Sequence, residues 1–509
     1  MSPDQRSGYN LDRATPPPTP RSYSVEMRAL VLSLVIATSL AAADWPRFRG
    51  PNGSGVAETG SPPIHFGPTT NVIWKTALPQ GHSSPVVSGD RIFLTGAEGG
   101  EMADVDRKKV TDKGGKLYTM AVDRSNGEIL WKKEAPRPRF ERYQPTNSSA
   151  SPSPALDGEN VYVFFGDFGL ISYTFSGEER WRVPLGPFNN VNGHGSSPIV
   201  VNDLVILACD QDTDGYLLAV DKDSGEVRWK ADRSETTRTY VTPAVYQPQQ
   251  GPAQLIVPAA YFIASYAADS GKKLWWTLGG SWQPKSTPIV EGDSIYVNSW
   301  EGGGGRPASD FLTFAQALER ADANSDAKLN EAEYTELGLR SFVNTDLSEN
   351  GYLDRREWEF LVARMTSQNS LTAIRQPGRG DVTASAIPWR LEKFLPNAPT
   401  PLLYRGVLYL VKDGGILTSL DPATGEILKQ GRLNEALDKY YASPVAADGK
   451  IYVSDQTGKT TVLKAGAQWE ILADNDLEDD SFATPAIVGD RLYVRTRHTL
   501  YCFGDPVGK

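Results

Sequence analysis

Two short stretches of the chain carry oxygen donors at a spacing that suits a hard divalent cation. Asp346, Ser348, Asn350, Asp354 and Glu357 stand at positions 1, 3, 5, 9 and 12 of one loop, with Gly351 at position 6 and the Tyr352 carbonyl at position 7. Calcium gathers six to eight oxygens, and this spacing supplies them from a single segment that turns sharply at the glycine. Asp322, Asn324, Asp326, Asn330 and Glu333 repeat the pattern, Lys328 offering the carbonyl, but Ala327 replaces the glycine. Holding alanine in the left-handed region costs about 1–2 kcal/mol, which predicts a first site roughly tenfold weaker than the second.

Taken together the loops read as an EF-hand pair, with Leu329 and Leu353 at the eighth positions forming the short β contact between them. Only residues 334–345 separate the two, so a single short helical connection is expected. That favours a structural or buffering calcium role over the opening motion of a sensor. Trp358, Phe360 and Leu361 are expected to pack on Phe311, Phe314 and Leu318. A run of glycines at 302–305 and a polar stretch at 376–380 set the bounds of this helical segment at 301–380.

Elsewhere the chain is poor in recognisable chemistry. No Cys-x-x-Cys, phosphate loop, His-Glu-x-x-His or Ser-His-Asp set is evident, so hydrolase and nucleotide-binding readings lack support. Net charge is −10, with no long basic run after the first residues, and this disfavours nucleic acid as a partner. Cys209 and Cys502 stand alone and read as buried free thiols.

The elements that must position these groups are announced by a repeat. A Ser/Thr-Pro pair, a first apolar run, a Gly or Asp turn and a second apolar-aromatic run recur at Pro85, Pro154, Pro198, Pro243, Pro288, Pro401, Pro444 and Pro485. Most steps are 41–45 residues, the length of one four-stranded propeller blade. The second half of each repeat is a strand, an Asp-x-x-x-Gly turn and a closing strand bearing Trp, as at Trp131, Trp181, Trp229, Trp275 and Trp469. The turn glycine answers a need for positive φ, and the Trp is expected to pack between blades. The fold class predicted is therefore all-β: an eight-bladed β-propeller with a small α-helical EF-hand insertion in blade 5. Blade 8 lacks its outer strand at the C-terminus, and residues 71–75 are expected to supply it, closing the ring. Blades 1–5 begin within 44–300, and 381–509 hold the rest of blade 5 and blades 6–8.

These repeats resemble those of the pyrroloquinoline quinone (PQQ)-like propellers, which include quinoprotein alcohol dehydrogenases and BamB-type outer-membrane assembly factors. The opening Asp44-Trp45-Pro46-x-Phe48-Arg49-Gly50-Pro51 is similar to that of many exported bacterial members. For the dehydrogenases the resemblance implies PQQ and a calcium ion near the central axis, under a ring formed by adjacent cysteines. This chain has no adjacent cysteines, no evident pairing of ligand Glu and Asn with a catalytic Asp in the inner strands, and is shorter than those enzymes. Two readings follow: a non-catalytic binding or scaffold protein with calcium loops, or a PQQ-dependent dehydrogenase of alcohols or sugars. A ligand site at the channel mouth would draw on His82, His194, Tyr240, Tyr441 and Phe482, which precede the blade prolines. The two Gly-His segments would converge on one opening for a metal or ligand, or hydrogen-bond blade to blade; the second is the plainer reading.

The N-terminus carries export information. Arg28, a short apolar run and Ala41-Ala42-Ala43 make 27–43 a secretory signal peptide, too short for a comfortable bilayer span. Residues 1–26, rich in proline, read as a disordered extension or a mis-assigned start with Met27 the true initiator. The mature protein is expected in the periplasm or outside the cell, monomeric, without a stable membrane span, with a protein, small-molecule or carbohydrate ligand on a propeller face.

Overall fold

The computed structural model describes residues 45–104, 109–300, 304–375, 377–434 and 436–505. The proposed extension 1–26 and signal peptide 27–43 lie outside the described residues. Eight antiparallel sheets of four principal strands form a β-propeller. Blade 1 runs Val86–Ser88, Arg91–Glu98, Lys116–Asp123, Ile129–Ala135, and the later blades repeat that order from the axis outward. In blade 8, Val72–Ala77 pairs antiparallel with Thr499–Phe503, so one sheet joins the two ends of the chain. A ring closed in this way leaves only the short edges of the individual blades.

Burial explains the strand sequences. The second and third strands of each blade are covered on both faces by neighbouring blades and read as continuous apolar runs. Leu204–Cys209 and Asn160–Phe165 are buried at every position. The outer strands alternate instead, as in Val227–Asp232, because one face meets water. The core is accordingly a set of layers between blades, such as that of Leu204, Ile206, Leu255 and Val257 between blades 3 and 4.

The closing tryptophans and turn glycines form one device. Trp181 lies on Gly225 of the next blade, where an added Cβ would sit 2.8 Å from the indole, and its Nε1 donates to Lys222 O at 2.9 Å. Trp74 with Gly127, Trp131 with Gly177, Trp229 with Gly271 and Trp389 with Gly425 repeat the arrangement. Glycine is thus required twice over, for positive φ and for the ring above it. Trp275 departs from the pattern, donating to Gln254 within its own blade. Cys209 and Cys502 are both buried and free.

The fifth blade is interrupted between its second strand, Ser294–Asn298, and its third, Leu371–Arg375. The sequence-based bound of 301–380 therefore takes in too much: Leu371–Arg375 pairs along all of Ser294–Asn298, and Gly380–Asp381 lies against Trp275–Trp276. The excursion holds helices α1 (Phe314–Ala321), α2 (Glu331–Glu336) and α3 (Arg355–Thr366) around their own core of Phe314, Leu329, Tyr334, Phe342, Leu353 and Trp358. Trp358 meets Phe314 as expected, but Phe360 turns away from that core and stacks on Tyr261 of the propeller. Among the described residues no helix is long and apolar enough to cross a membrane.

Candidate functional sites: the central cavity and the helical insertion

The repeated Ser/Thr-Pro pairs meet at the axis. In all but one of the blades, the residue before the proline donates its backbone N–H to the hydroxyl of its counterpart in the next blade. Ser84 donates to Ser153 at 2.8 Å, Ser153 to Ser197 at 2.9 Å and Ser197 to Thr242 at 3.0 Å. The ring resumes from Thr287 to Thr400, Ser443, Thr484 and back to Ser84, each at 3.0 Å. At Thr287 it is open, since that hydroxyl is buried without a partner. Its methyl is instead turned toward Gly53, where an added Cβ would lie 2.9 Å away.

Residues 45–57 close one end of the channel. Trp45 pairs with Val87 of blade 1, and Arg47 Nη2 reaches Pro243 O of blade 4 at 2.7 Å. Arg49, fully buried, donates to Gly53, Ser54, Pro401 and Pro444 carbonyls, tying blades 6 and 7. Burial without a carboxylate partner pulls the Arg49 guanidinium down to about 9.

Above the ring lies a cavity of about 360 Å³. Its wall combines carboxamides (Gln144, Asn147, Asn192, Gln283, Asn397), ring hydroxyls and half-buried aromatics (Phe48, Tyr240, Trp300, Tyr441, Phe482). Lys285 holds Asn397 Oδ1 at 2.9 Å and lies over the Trp300 ring at 3.6 Å. Among the described residues the wall carries no Asp, Glu or Cys.

Of the expected mouth residues, His82, Tyr240, Tyr441 and Phe482 line this cavity. His82 stacks on Phe482 with centroids 4.2 Å apart, and Tyr441 lies 5.3 Å from the same ring. Burial, helped by Arg495 and Arg497, pulls His82 down to about 3, so it is neutral at physiological pH. Tyr240 accepts from Asn192 Nδ2 at 2.6 Å, and burial pushes its phenol up. His194 does not join them. Its ring packs edge-on against Phe164 and Phe188, and burial holds it at about 3 as well. The two histidines therefore do not form a shared metal site at the mouth. The hydroxyl ring and the arginines under it went unforeseen; their signal was a Ser or Thr before the proline in every repeat.

In the insertion the two oxygen-rich loops face each other through the Leu329–Leu353 and Asn330–Tyr352 pairs. Their internal bonding matches. Asp322 accepts from the N–H groups of Asp326 and Ala327, and Asp346 from those of Asn350 and Gly351. Glu333 accepts from Ala323 and Asn330, and Glu357 from Ser348 and Asp354. Asn330 caps α2 and Asp354 caps α3, each in a reciprocal box with its glutamate. Ala327 adopts φ 60° where Gly351 has 83°, the strained geometry the substitution implies. Burial raises the Glu357 carboxyl from its ordinary value. Asn324, Lys328 and Ser348 complete the loops at the remaining positions, though no group of three or more acidic, His or Cys side chains is drawn together as a metal cluster among the described residues.

A closed eight-bladed propeller with a capped, polar central cavity is the class that this architecture defines. A family model described as outer membrane protein assembly factor BamB matches residues 67–190, 115–302 and 364–506, leaving out most of the insertion, and the chain belongs to that family. BamB of Shewanella oneidensis is 23% identical over 357 residues, 67% of this chain and 79% of that protein. Among solved structures, a europium-containing methanol dehydrogenase aligns over 91% of this chain and 98% of its own, with TM-score 0.56 and 11% identity. The quinohemoprotein alcohol dehydrogenase of Comamonas testosteroni aligns over 92% and 81%, with TM-score 0.51 and 11% identity. At such identities these two likenesses establish the fold alone.

Proposed function

We propose that this is an exported, non-catalytic binding or scaffold protein of the periplasm or cell exterior, with a calcium-binding EF-hand pair set into its fifth blade. The observation that carries the non-catalytic reading is the chemistry of the cavity wall. A calcium ion at the axis would find no carboxylate among the described wall residues, and no carboxylate stands ready there as a base. PQQ bound as in a dehydrogenase would also lack the adjacent cysteines that the resemblance implies. The residues present do not fit that group. Carboxamides, hydroxyls and half-exposed aromatic rings suit a neutral polyhydroxylated molecule such as a carbohydrate, held by stacking and hydrogen bonds. The propeller faces remain for a protein partner, in keeping with the assembly-factor family.

The calcium reading is supported by the donor set. Asp322, Asn324, Asp326, Asn330 and Glu333, with the Lys328 carbonyl, give one complete ligand list. Asp346, Ser348, Asn350, Asp354 and Glu357, with the Tyr352 carbonyl, give the other. The test of the non-catalytic reading is dye-linked oxidation of primary alcohols and aldoses by the purified protein with PQQ and calcium supplied. No turnover above the free-cofactor rate is expected; saturable turnover would restore the dehydrogenase reading.

A further inference from the structure

The second oxygen-rich loop touches the propeller from positions lying between its proposed ligands. Leu347, at position 2, accepts through its carbonyl from Asn189 Nδ2 at 2.7 Å. Glu349, at position 4, pairs with Arg142. Arg356, at position 11, sends Nη2 to the carbonyls of Asp212 (2.8 Å), Ser234 (3.1 Å) and Thr236 (3.0 Å), and Nε to Ser234. Further along α3, Phe360 stacks on Tyr261 and Arg364 lies 4.9 Å from the Trp282 ring.

Arg142, Asn189, Ser234 with Thr236, and Trp282 fall on four successive blade-to-blade connections, while Asp212 and Tyr261 lie on loops inside blades 3 and 4; the four connections also build the cavity wall. Arg142 is followed by Gln144 and Asn147, Asn189 by Asn192, Thr236 by Tyr240, and Trp282 by Gln283. One buried chain runs from the insertion to the residue next to the wall's Gln283. Asp212, whose carbonyl receives Arg356, pairs through its carboxylate with Arg238, which lies 5.2 Å from the Trp282 ring.

We infer that calcium in the second loop clamps the helical insertion onto the propeller rim and so fixes the cavity wall, with Arg356 as the positioning residue. The inference rests on the calcium reading above and adds a consequence to it. Asp346 and Glu357 are 5% and 2% exposed and meet at Ser348, so two buried carboxylates share one small loop. A bound cation neutralises them; without it, their desolvation favours a looser loop. Drawing positions 1, 3, 5, 7, 9 and 12 onto one ion also fixes the direction of positions 2, 4 and 11, which are the ones that reach the rim. The two states are docked and loosened, and calcium binds the docked one better.

Hydrogen exchange on the full chain, with and without calcium, tests this in the wild type and in Arg356→Ala, which keeps every proposed ligand. In the wild type, calcium is expected to slow exchange at 346–357 and also at 186–192, 234–240 and 281–285. In Arg356→Ala the slowing at 346–357 persists while that at 234–240 falls by about tenfold, the effect of losing charged hydrogen bonds. Glu349→Gln, a milder change, reduces the slowing at 142–147 and serves if Arg356→Ala folds poorly. Slowing confined to 346–357 in the wild type overturns the inference but leaves calcium binding intact. Rim slowing that survives both substitutions overturns it too. No slowing at 346–357 overturns the calcium reading itself.

Discussion

Thr400→Val and Thr287→Val form a matched pair that isolates what the hydroxyl ring contributes. Both threonines precede a blade proline, both are 1% exposed, and valine keeps their shape while removing the hydroxyl. Thr400 Oγ1 accepts the Thr287 N–H at 3.0 Å. Removing it strands a buried donor, which costs about 1–3 kcal/mol. Thr287 Oγ1 has no partner, so its replacement removes an unsatisfied buried hydroxyl and should be neutral or stabilising by up to about 1–2 kcal/mol. The two variants should therefore differ by roughly 1–5 kcal/mol, with Thr400→Val the less stable. Urea unfolding followed by tryptophan fluorescence at constant calcium reads this as a lowered midpoint for Thr400→Val and an unchanged or raised one for Thr287→Val. Equal losses in both would refute the claim that the ring is open at Thr287 and that its closed links carry the stability.

Three further outcomes follow from particular contacts. Ala327→Gly relieves the left-handed strain at φ 60° and should tighten calcium at the first loop by about fivefold to tenfold, measured by calorimetry beside wild type. Arg49→Met leaves the Pro401 and Pro444 carbonyls without donors and should lower stability by about 3 kcal/mol in urea, with faster proteolysis within residues 45–57. Because His82 sits near 3 in the folded protein against its ordinary 6.5, the unfolded chain binds the extra proton first. Its contribution is present above pH 6.5 and is lost as pH falls toward 3, so His82→Gln should show a smaller drop in urea midpoint than wild type between pH 7 and pH 4.5.

The blade number was legible because each Ser/Thr-Pro pair, turn glycine and closing Trp is a local signal repeated at a fixed interval. The reason for serine or threonine was not, since the hydroxyl acts on a residue 44 or 69 positions away in the neighbouring blade. Trp275 shares the spacing of Trp181 and Trp229 but takes a partner inside its own blade. His82 and His194 look equivalent in sequence, yet one stands three residues before its proline and the other four. That offset accompanies a ring facing the cavity in one case and packed on Phe164 and Phe188 in the other. Leu371–Arg375 was absorbed into the insertion because no Asp-x-x-x-Gly turn follows it, only the strand register with Ser294–Asn298. Phe360 fitted a helical core by periodicity, whereas Tyr261, distant in sequence, offered it a surface that no local pattern announces.

The measurement that bears most directly on the account is calcium titration of the purified protein by calorimetry, with Glu333→Gln and Glu357→Gln alongside. The account predicts two binding events, the tighter lost in Glu357→Gln and the weaker, by roughly tenfold, lost in Glu333→Gln. Absence of calcium heat in the wild type, or heat unchanged in both variants, would contradict the calcium module and leave the propeller standing alone.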